Sequence, residues 1–348
     1  MALRSIENKT FANERVLVRV DFNVELEQTG EVQEHFRFDI VKRTIDHISA
    51  FSGTKVALLT HFGRPAGKDM EFSTEKIRLS AEKAIGKKIV WVEDCIGEKV
   101  SRALDELRQD EILLLENVRF YNEEEENDIT FAEKLAAPFS VFVNEAFSVC
   151  HRAHASVVAI TGFLPSYAGL RLMDEIRELD RVRQAPDHPA IAIIGGAKIE
   201  TKLPLIQALA NVYDRILVGG KIANEAIDEK ISFSEKVLLP QDFNSADRLD
   251  IGPNTIAYYS QIIATAKTIV WNGPMGKFEE KPNDIGTGAI LQAILDSQAY
   301  VVIGGGESLA ALENLGATSK ISFVSSGGGA MLEYMSDKKL PGLLALDA

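Results

Sequence analysis

The feature that most limits how this chain can fold is a series of short runs made almost wholly of β-branched and aliphatic residues. They are VLVRV (16–20), VALLT (56–60), IVWV (89–92), ILLLE (112–116) and VFVN (141–144), then IAII (191–194), ILVG (216–219), TIVW (268–271), YVVIG (300–304) and ISFVS (321–325). A strand with one wet face alternates apolar and polar residues; most of these do not, so both of their faces are expected to be covered. Helical patterns lie between them, such as Ile40, Val41, Ile45 and Ile48 early and Ile290, Leu291, Ile294 and Leu295 later. This alternation predicts an α/β chain with two doubly wound, mostly parallel sheets and right-handed crossovers. With 348 residues there is chain enough for two cores.

Pro165 precedes the mixed helical stretch AGLRLMDEIRELDRVRQ (168–184), and Pro186 and Pro189 precede the next apolar run, so one long helix is expected to connect two domains. The domains are set at 1–168 and 187–336, with the connecting helix at 169–186. No 20 to 50-residue repeat interrupts this plan. The run EEEEND (123–128) is read as a solvated loop and helix start.

Apolar residues make up 46% of the chain, which excludes a disordered polymer. No apolar run approaches the roughly 18 residues of a membrane span, and MALRSIENKT lacks a signal-like apolar core, so a soluble cytoplasmic protein is expected. Cys95 and Cys150 stand without a CxxC, which encodes neither a zinc site nor a disulfide framework. A net charge of −13 argues against nucleic acid or an anionic membrane as partner. An anionic ligand would therefore need a local basic site. Residues 1–170 hold 11 of the 17 arginines and five of the six histidines, whereas 171–348 hold 17 of the 25 glycines. One half can meet anions with side-chain charge, the other with bare backbone.

Ligands of open α/β sheets sit at the carboxyl ends of strands. In the first half those ends carry Asp21-Phe22-Asn23, His61-Phe62-Gly63-Arg64, Asn117-Val118-Arg119 and His151-Arg152-Ala153-His154, with Arg37 on a further loop. Several arginines at one sheet edge point to a phosphate or carboxylate ligand, which guanidinium meets bidentately. In the second half the ends carry glycine: Gly195-Gly196, Gly219-Gly220, Asn272-Gly273-Pro274, Gly304-Gly305-Gly306 and Ser326 to Gly329. Each is expected to open a helix, whose free N–H groups suit phosphates. Lys198 and Lys202, four apart on one helix face, and acidic Glu279 and Glu307 suit a nucleotide with its Mg²⁺. Neither GxxxxGK[ST] nor a strand-following GxGxxG is present, which disfavours Walker-type NTPases and dinucleotide oxidoreductases. An anion-binding half facing a nucleotide-binding half suggests phosphoryl transfer across a cleft.

Ten boxes in order then match one family: RVDFNV (19–24), THFGRP (60–65), LLLENVRFYNEEEEND (113–128), HRAHAS (151–156), GGAKIETK (195–202), DIGPNTI (250–256), VWNGPMGKFE (270–279), GGGES (304–308), SSGGGA (325–330) and LPGLLALD (340–347). Over essentially its whole length the chain resembles phosphoglycerate kinases. The resemblance implies two Rossmann-like domains joined by a hinge helix, with the tail 337–348 returning to the first domain. It implies reversible transfer between 1,3-bisphosphoglycerate and Mg-ADP, giving 3-phosphoglycerate and Mg-ATP, by a cytoplasmic monomer. Carried over by motif, Asp21, Phe22, Asn23, His61, Phe62, Gly63, Arg64, Arg119 and Arg152 would bind phosphoglycerate. Arg37 would join them and neutralise the transferring group, with Lys198 following it as the second catalytic residue. Lys202, Glu279, Gly304, Gly305, Gly306, Glu307 and Ser308 would join Lys198 in holding the nucleotide, Glu307 also meeting Mg²⁺.

The chain departs from the family pattern mainly on the nucleotide side. Glu307 stands where Asp is usual, Glu225-Ala226 where Thr-Phe is usual, and Glu145 where Asp is usual. Only about 30 residues separate Gly220 from Asp250, several dozen fewer than the family has. A helix and loop beside the nucleotide site are expected to be missing, and base discrimination to be weak. The alternative reading is a catalytically weakened phosphoglycerate-binding relative; Arg37, Lys198, Lys202 and Glu279 all remain, which favours the enzyme.

Overall fold

The computed structural model describes residues 3–27, 32, 35–314 and 318–347, with the side chains of Glu307, Glu313 and Asn314 outside that description. The first sheet contains β1 (Arg15–Arg19), β2 (Lys55–Leu59), β3 (Lys88–Val92), β4 (Glu111–Leu115), β5 (Val141–Asn144) and β6 (Ser166–Ala168) in the order β3-β4-β2-β1-β5-β6. The second contains β7 (Ala190–Ile194), β8 (Arg215–Val218), β9 (Val237–Leu238), β10 (Thr268–Asn272), β11 (Tyr300–Gly304) and β12 (Phe323–Ser325) in the order β12-β11-β10-β7-β8-β9. Every ladder is parallel. Among the described residues, ten of the twelve strands are the ten apolar runs; β6 and β9, three and two residues long, are the additions.

The reason those runs are apolar throughout is visible in β1. Val16 and Val18 pack into one core and Leu17 into another on the opposite face, all fully buried. Cys95 and Cys150 are buried free thiols.

Two compact units divide the chain: residues 1–174 with 339–348, and residues 175–338. The division falls inside the helix Leu170–Gln184. In the first unit the expected helix through Ile40 is broken: a single turn Phe36–Asp39 is followed by a helix Lys42–Ser49. Arg37 thus lies on a helical turn, not on a loop. Of the five glycine clusters, four lead straight into a helix, and the fifth does not: after Asn272-Gly273-Pro274 the next helix starts at Ile285.

In each sheet the strand order reverses beside the first strand, between β1 and β5 and between β7 and β10. Crevices outside the carboxyl ends at such points are where open sheets take ligands. At the second one the backbone itself is the limiting feature. Gly273 has a φ of +90°, and a Cβ there would lie 2.4 Å from the Gly195 carbonyl oxygen, so only glycine lets the two loops touch.

Candidate functional site

The first unit gathers charge at the ends of β1, β2, β4 and β5. Asp21, just past β1, accepts hydrogen bonds from Arg37 and Ser148. Burial alone would raise this carboxyl, but the Arg37 guanidinium and the hydrogen bond from Ser148 hold it well below the usual carboxylate range. Asn23 Oδ1 accepts from the Gly63 N–H at 2.7 Å, and the Gly63 carbonyl accepts from Arg119 Nη1 at 2.9 Å. Gly63 has a φ of +65° with the Phe72 ring where a Cβ would sit, which is how the loop tucks beneath Arg119. Arg119 is only 6% exposed, yet its Nη2 is buried without a hydrogen-bond partner. An unpaired buried donor on a cation costs about 1 to 3 kcal/mol, more when charged, unless a ligand completes it. Arg152, half-buried, donates from Nε to His151 Nε2 at 3.2 Å.

Not every residue of the expected set faces this site. Phe22 and Phe62 belong to the core, and the Phe22 ring packs on Phe38 with centroids 4.7 Å apart. The Phe22 N–H donates to Thr60, and both backbone groups of Phe62 bond Asn117. Their part is to hold the loops. Arg64 is exposed and makes no hydrogen bond or ion pair among the described residues.

Two charged residues escaped the sequence reading. Arg19, the last residue of β1, is completely buried, and so is Glu124 of the acidic run. Arg19 Nε donates to Ser156 Oγ at 2.8 Å, and Ser156 Oγ donates to Glu124 Oε1 at 2.6 Å. The solvated reading holds for the exposed Glu123, Glu125 and Glu126 and for Asp128, which caps the helix Ile129–Ala136; for Glu124 it is wrong. The signal available was a lone arginine inside the apolar run VLVRV, which burial demands be paired.

The second unit is built differently. Lys202 is buried and donates to Asn272 Oδ1 at the end of β10, while Asn272 Nδ2 is buried without a partner, 3.2 Å from where a Cβ on Gly305 would lie. Gly304 pairs with Asn272 in the sheet, and Gly305, with φ +102°, turns the chain into the helix Gly306–Asn314. Lysine, amide and helix N-terminus thus converge on one spot. Glu307 lies in that helix's first turn with its side chain outside the described residues. Ser308 points inward: it is fully buried and its Oγ accepts from the Gly273 N–H at 2.7 Å. Lys198 is exposed at the start of the helix Ile199–Ala210.

A cavity of about 670 Å³ opens beside these turns, lined among others by Gly196, Gly220, Leu249, Lys277 and Glu279. One wall is an ion pair in which Arg248 Nη2 donates to both carboxylate oxygens of Asp228, at 2.9 and 2.7 Å. Glu225 lines it too, and accepts from the Ile199 N–H at 2.9 Å, which caps the helix that Lys198 opens. No cluster of three or more His, Cys, Asp or Glu side chains among the described residues could hold a resident metal ion.

The phosphoglycerate kinase family model matches residues 6–231 and 226–338. The chain belongs to the phosphoglycerate kinase family. Phosphoglycerate kinases of Wolbachia sp. subsp. Brugia malayi and of Moorella thermoacetica are 37% and 36% identical to it, with 99% or more of every chain covered. Solved structures of the family superpose over nearly the whole chain at 30% identity: that from Coxiella burnetii with a TM-score of 0.82, covering 99% of each chain, and that from Pyrococcus horikoshii with 0.88, covering 99% of this chain and 98% of its own. The alignment with the Wolbachia kinase runs over 397 residues against 348 here, so about fifty of its positions have no partner in this chain. The two matched segments of the family model meet at residues 226–231, inside the short Gly220 to Asp250 stretch.

Proposed function

We propose that this chain transfers a phosphoryl group reversibly between 1,3-bisphosphoglycerate and Mg-ADP, with phosphoglycerate bound by the first unit and nucleotide by the second. Written toward ATP, an oxygen of the ADP β-phosphate attacks the acyl phosphorus, the bond from phosphorus to the carboxyl oxygen breaks, and 3-phosphoglycerate leaves as a carboxylate. No proton need move and no side chain need become covalently modified. Catalysis then rests on positioning and on offsetting charge.

The observation that carries the reading is the buried Nη2 of Arg119, a donor left without its hydrogen bond on a cation that has Arg19 and Arg152 around it and pairs through Nε with Glu125 at 3.2 Å. A phosphate or carboxylate oxygen supplies that bond. Asp21 holds Arg37 on its helical turn, ready to meet negative charge as it develops on the transferring group. In the second unit Lys202, Asn272 Nδ2 and the Gly304 to Gly306 turn receive nucleotide phosphates, Lys198 follows the transferring group, and Glu279 takes the ribose. Mg²⁺ enters with the nucleotide as part of the substrate; it keeps several waters and needs only one or two carboxylates, with Glu307 the residue offered. We extend the same reading to a cytoplasmic monomer.

The test is a coupled assay with 3-phosphoglycerate and Mg-ATP. Turnover of roughly 1 to 100 per second, the usual kinase range, is expected. A folded chain that binds 3-phosphoglycerate tightly and turns over nothing would replace this reading with that of a binding relative.

A further inference from the structure

Glu124, Ser156 and Arg19 form a sealed line of hydrogen bonds that ends on a residue of the phosphoglycerate site. Glu124 accepts from the Ser156 N–H at 2.8 Å and from its hydroxyl at 2.6 Å, which leaves the Ser156 oxygen to accept from Arg19 Nε at 2.8 Å. Arg19 also donates from Nη1 to the Val20 carbonyl, and its Nη2 lies 3.3 Å from His61 Nδ1. A guanidinium has only donors, so His61 Nδ1 must be the acceptor in that contact. A neutral ring that accepts at Nδ1 carries its proton on Nε2.

The other charges around the ring agree with this. Asp21 Oδ1 lies 3.9 Å from Nδ1, too far for a hydrogen bond, and the Asp21 carboxylate already accepts from Arg37, Ser148 and the Asn23 N–H. Burial, with Arg19, Arg119 and Arg152 on the ring's surroundings, opposes an imidazolium; Asp21 alone favours one. Among the described residues Nε2 makes no hydrogen bond, and it is absent from the polar atoms sealed without a partner. It remains for a ligand.

We propose that Glu124, acting through Ser156 and Arg19, is a positioning residue that holds His61 as the neutral tautomer with its proton on Nε2, so that His61 donates one hydrogen bond to an anionic oxygen of phosphoglycerate instead of meeting it as a cation. The proposal deepens the assignment of phosphoglycerate to the first unit and rests on it. The acidic run thereby gains a role: one of its glutamates, buried among solvated ones, sets the proton of a ligand-binding histidine.

The experiment is ¹⁵N NMR of the whole chain labelled at histidine, with the His61 signals assigned by their loss in His61→Asn. Between pH 6 and 8 the wild type is expected to show Nδ1 unprotonated and Nε2 protonated, without titration. Addition of 3-phosphoglycerate should move Nε2 and leave Nδ1. A protonated Nδ1, or a ring that titrates in this window, would overturn the proposal, and needs no variant. Ser156→Ala and Glu124→Gln should each yield mixed tautomers and raise KM for 3-phosphoglycerate about tenfold, with kcat and KM for Mg-ATP within twofold. An unmixed tautomer with unchanged KM in folded Ser156→Ala would also overturn it. If the tautomer is as stated but 3-phosphoglycerate moves neither nitrogen, the assignment of ligand to this unit fails instead.

Discussion

On the proposed reading the two units meet anions by different means. In the first, side chains do it: the cations Arg37, Arg119 and Arg152 and the ring of His61, with Asp21 bonded to Arg37 and Arg19 to His61. In the second, glycine turns expose helix N-termini, and Lys202 is the one buried cation beside them among the described residues. A site made of side chains can be dismantled one residue at a time. A site made of backbone tolerates side-chain change but fails when a turn cannot form. That difference is a physical reason for the shortened stretch to lie in the second unit, since removing a neighbouring segment leaves backbone N–H groups where they were.

The largest expected effect is on the side-chain site. Arg37→Ala should lower kcat by about 10³-fold or more, the scale of arginine fingers, while KM for both substrates changes little. Steady-state kinetics decide it, and a variant that keeps a tenth of normal kcat would remove Arg37 from the transfer step.

Gly273→Ala attacks the backbone site. The added methyl meets the Gly195 carbonyl at a positive φ, so a loss of about 3 kcal/mol is expected from backbone strain and overpacking together. Urea unfolding should show it in the second unit, together with weaker Mg-ATP binding. Unchanged stability would mean that the two loops need not touch.

A smaller, pH-dependent effect belongs to the first unit. Glu145 accepts from the Arg171 and Leu172 N–H groups, both at 3.1 Å, yet burial outweighs these bonds and pushes its carboxyl up to about 7. The folded chain therefore keeps a proton that the unfolded chain releases near 4.5. Its contribution to stability is complete below that pH and is lost as pH rises through 7, by up to about 3 kcal/mol. Glu145→Gln should flatten this slope in denaturant midpoints taken from pH 5 to 8; an unaltered slope would show that Glu145 is not the group responsible.

How much of this was legible beforehand depended on whether local pattern or distant partners decide a feature. Ten strands were readable because each is buried on both faces, and β6 and β9 were not because two or three residues carry no period. The arginines and glycines at strand ends were readable because the fold rule says where to look. Arg19 and Glu124 were not, since each is hydrogen-bonded by a partner far along the chain: Ser156 lies 137 residues from Arg19 and 32 from Glu124. Phe22 and Phe62 came in with their motifs, whereas their rings complete the core.

The smallest effect concerns the base. The cavity of the second unit is walled by the Asp228 and Arg248 pair, with Leu249 and Pro274 among its few apolar side chains. With so few apolar side chains to shape the pocket to one base, little discrimination is expected. The ratio of kcat/KM for ATP and GTP should stay within about tenfold, and a preference above about 100-fold would show a rebuilt pocket.

The division of labour between the two units is tested most directly by calorimetry on two variants, each titrated with 3-phosphoglycerate alone and with Mg-ATP alone. Loss of a charge-assisted hydrogen bond is worth about 1.5 to 3 kcal/mol. Arg119→Ala should therefore weaken 3-phosphoglycerate binding by roughly tenfold to a hundredfold and leave Mg-ATP unchanged, and Lys202→Ala should do the reverse. If Arg119→Ala weakened Mg-ATP binding tenfold and spared 3-phosphoglycerate, the assignment of the two ligands to the two units would be wrong.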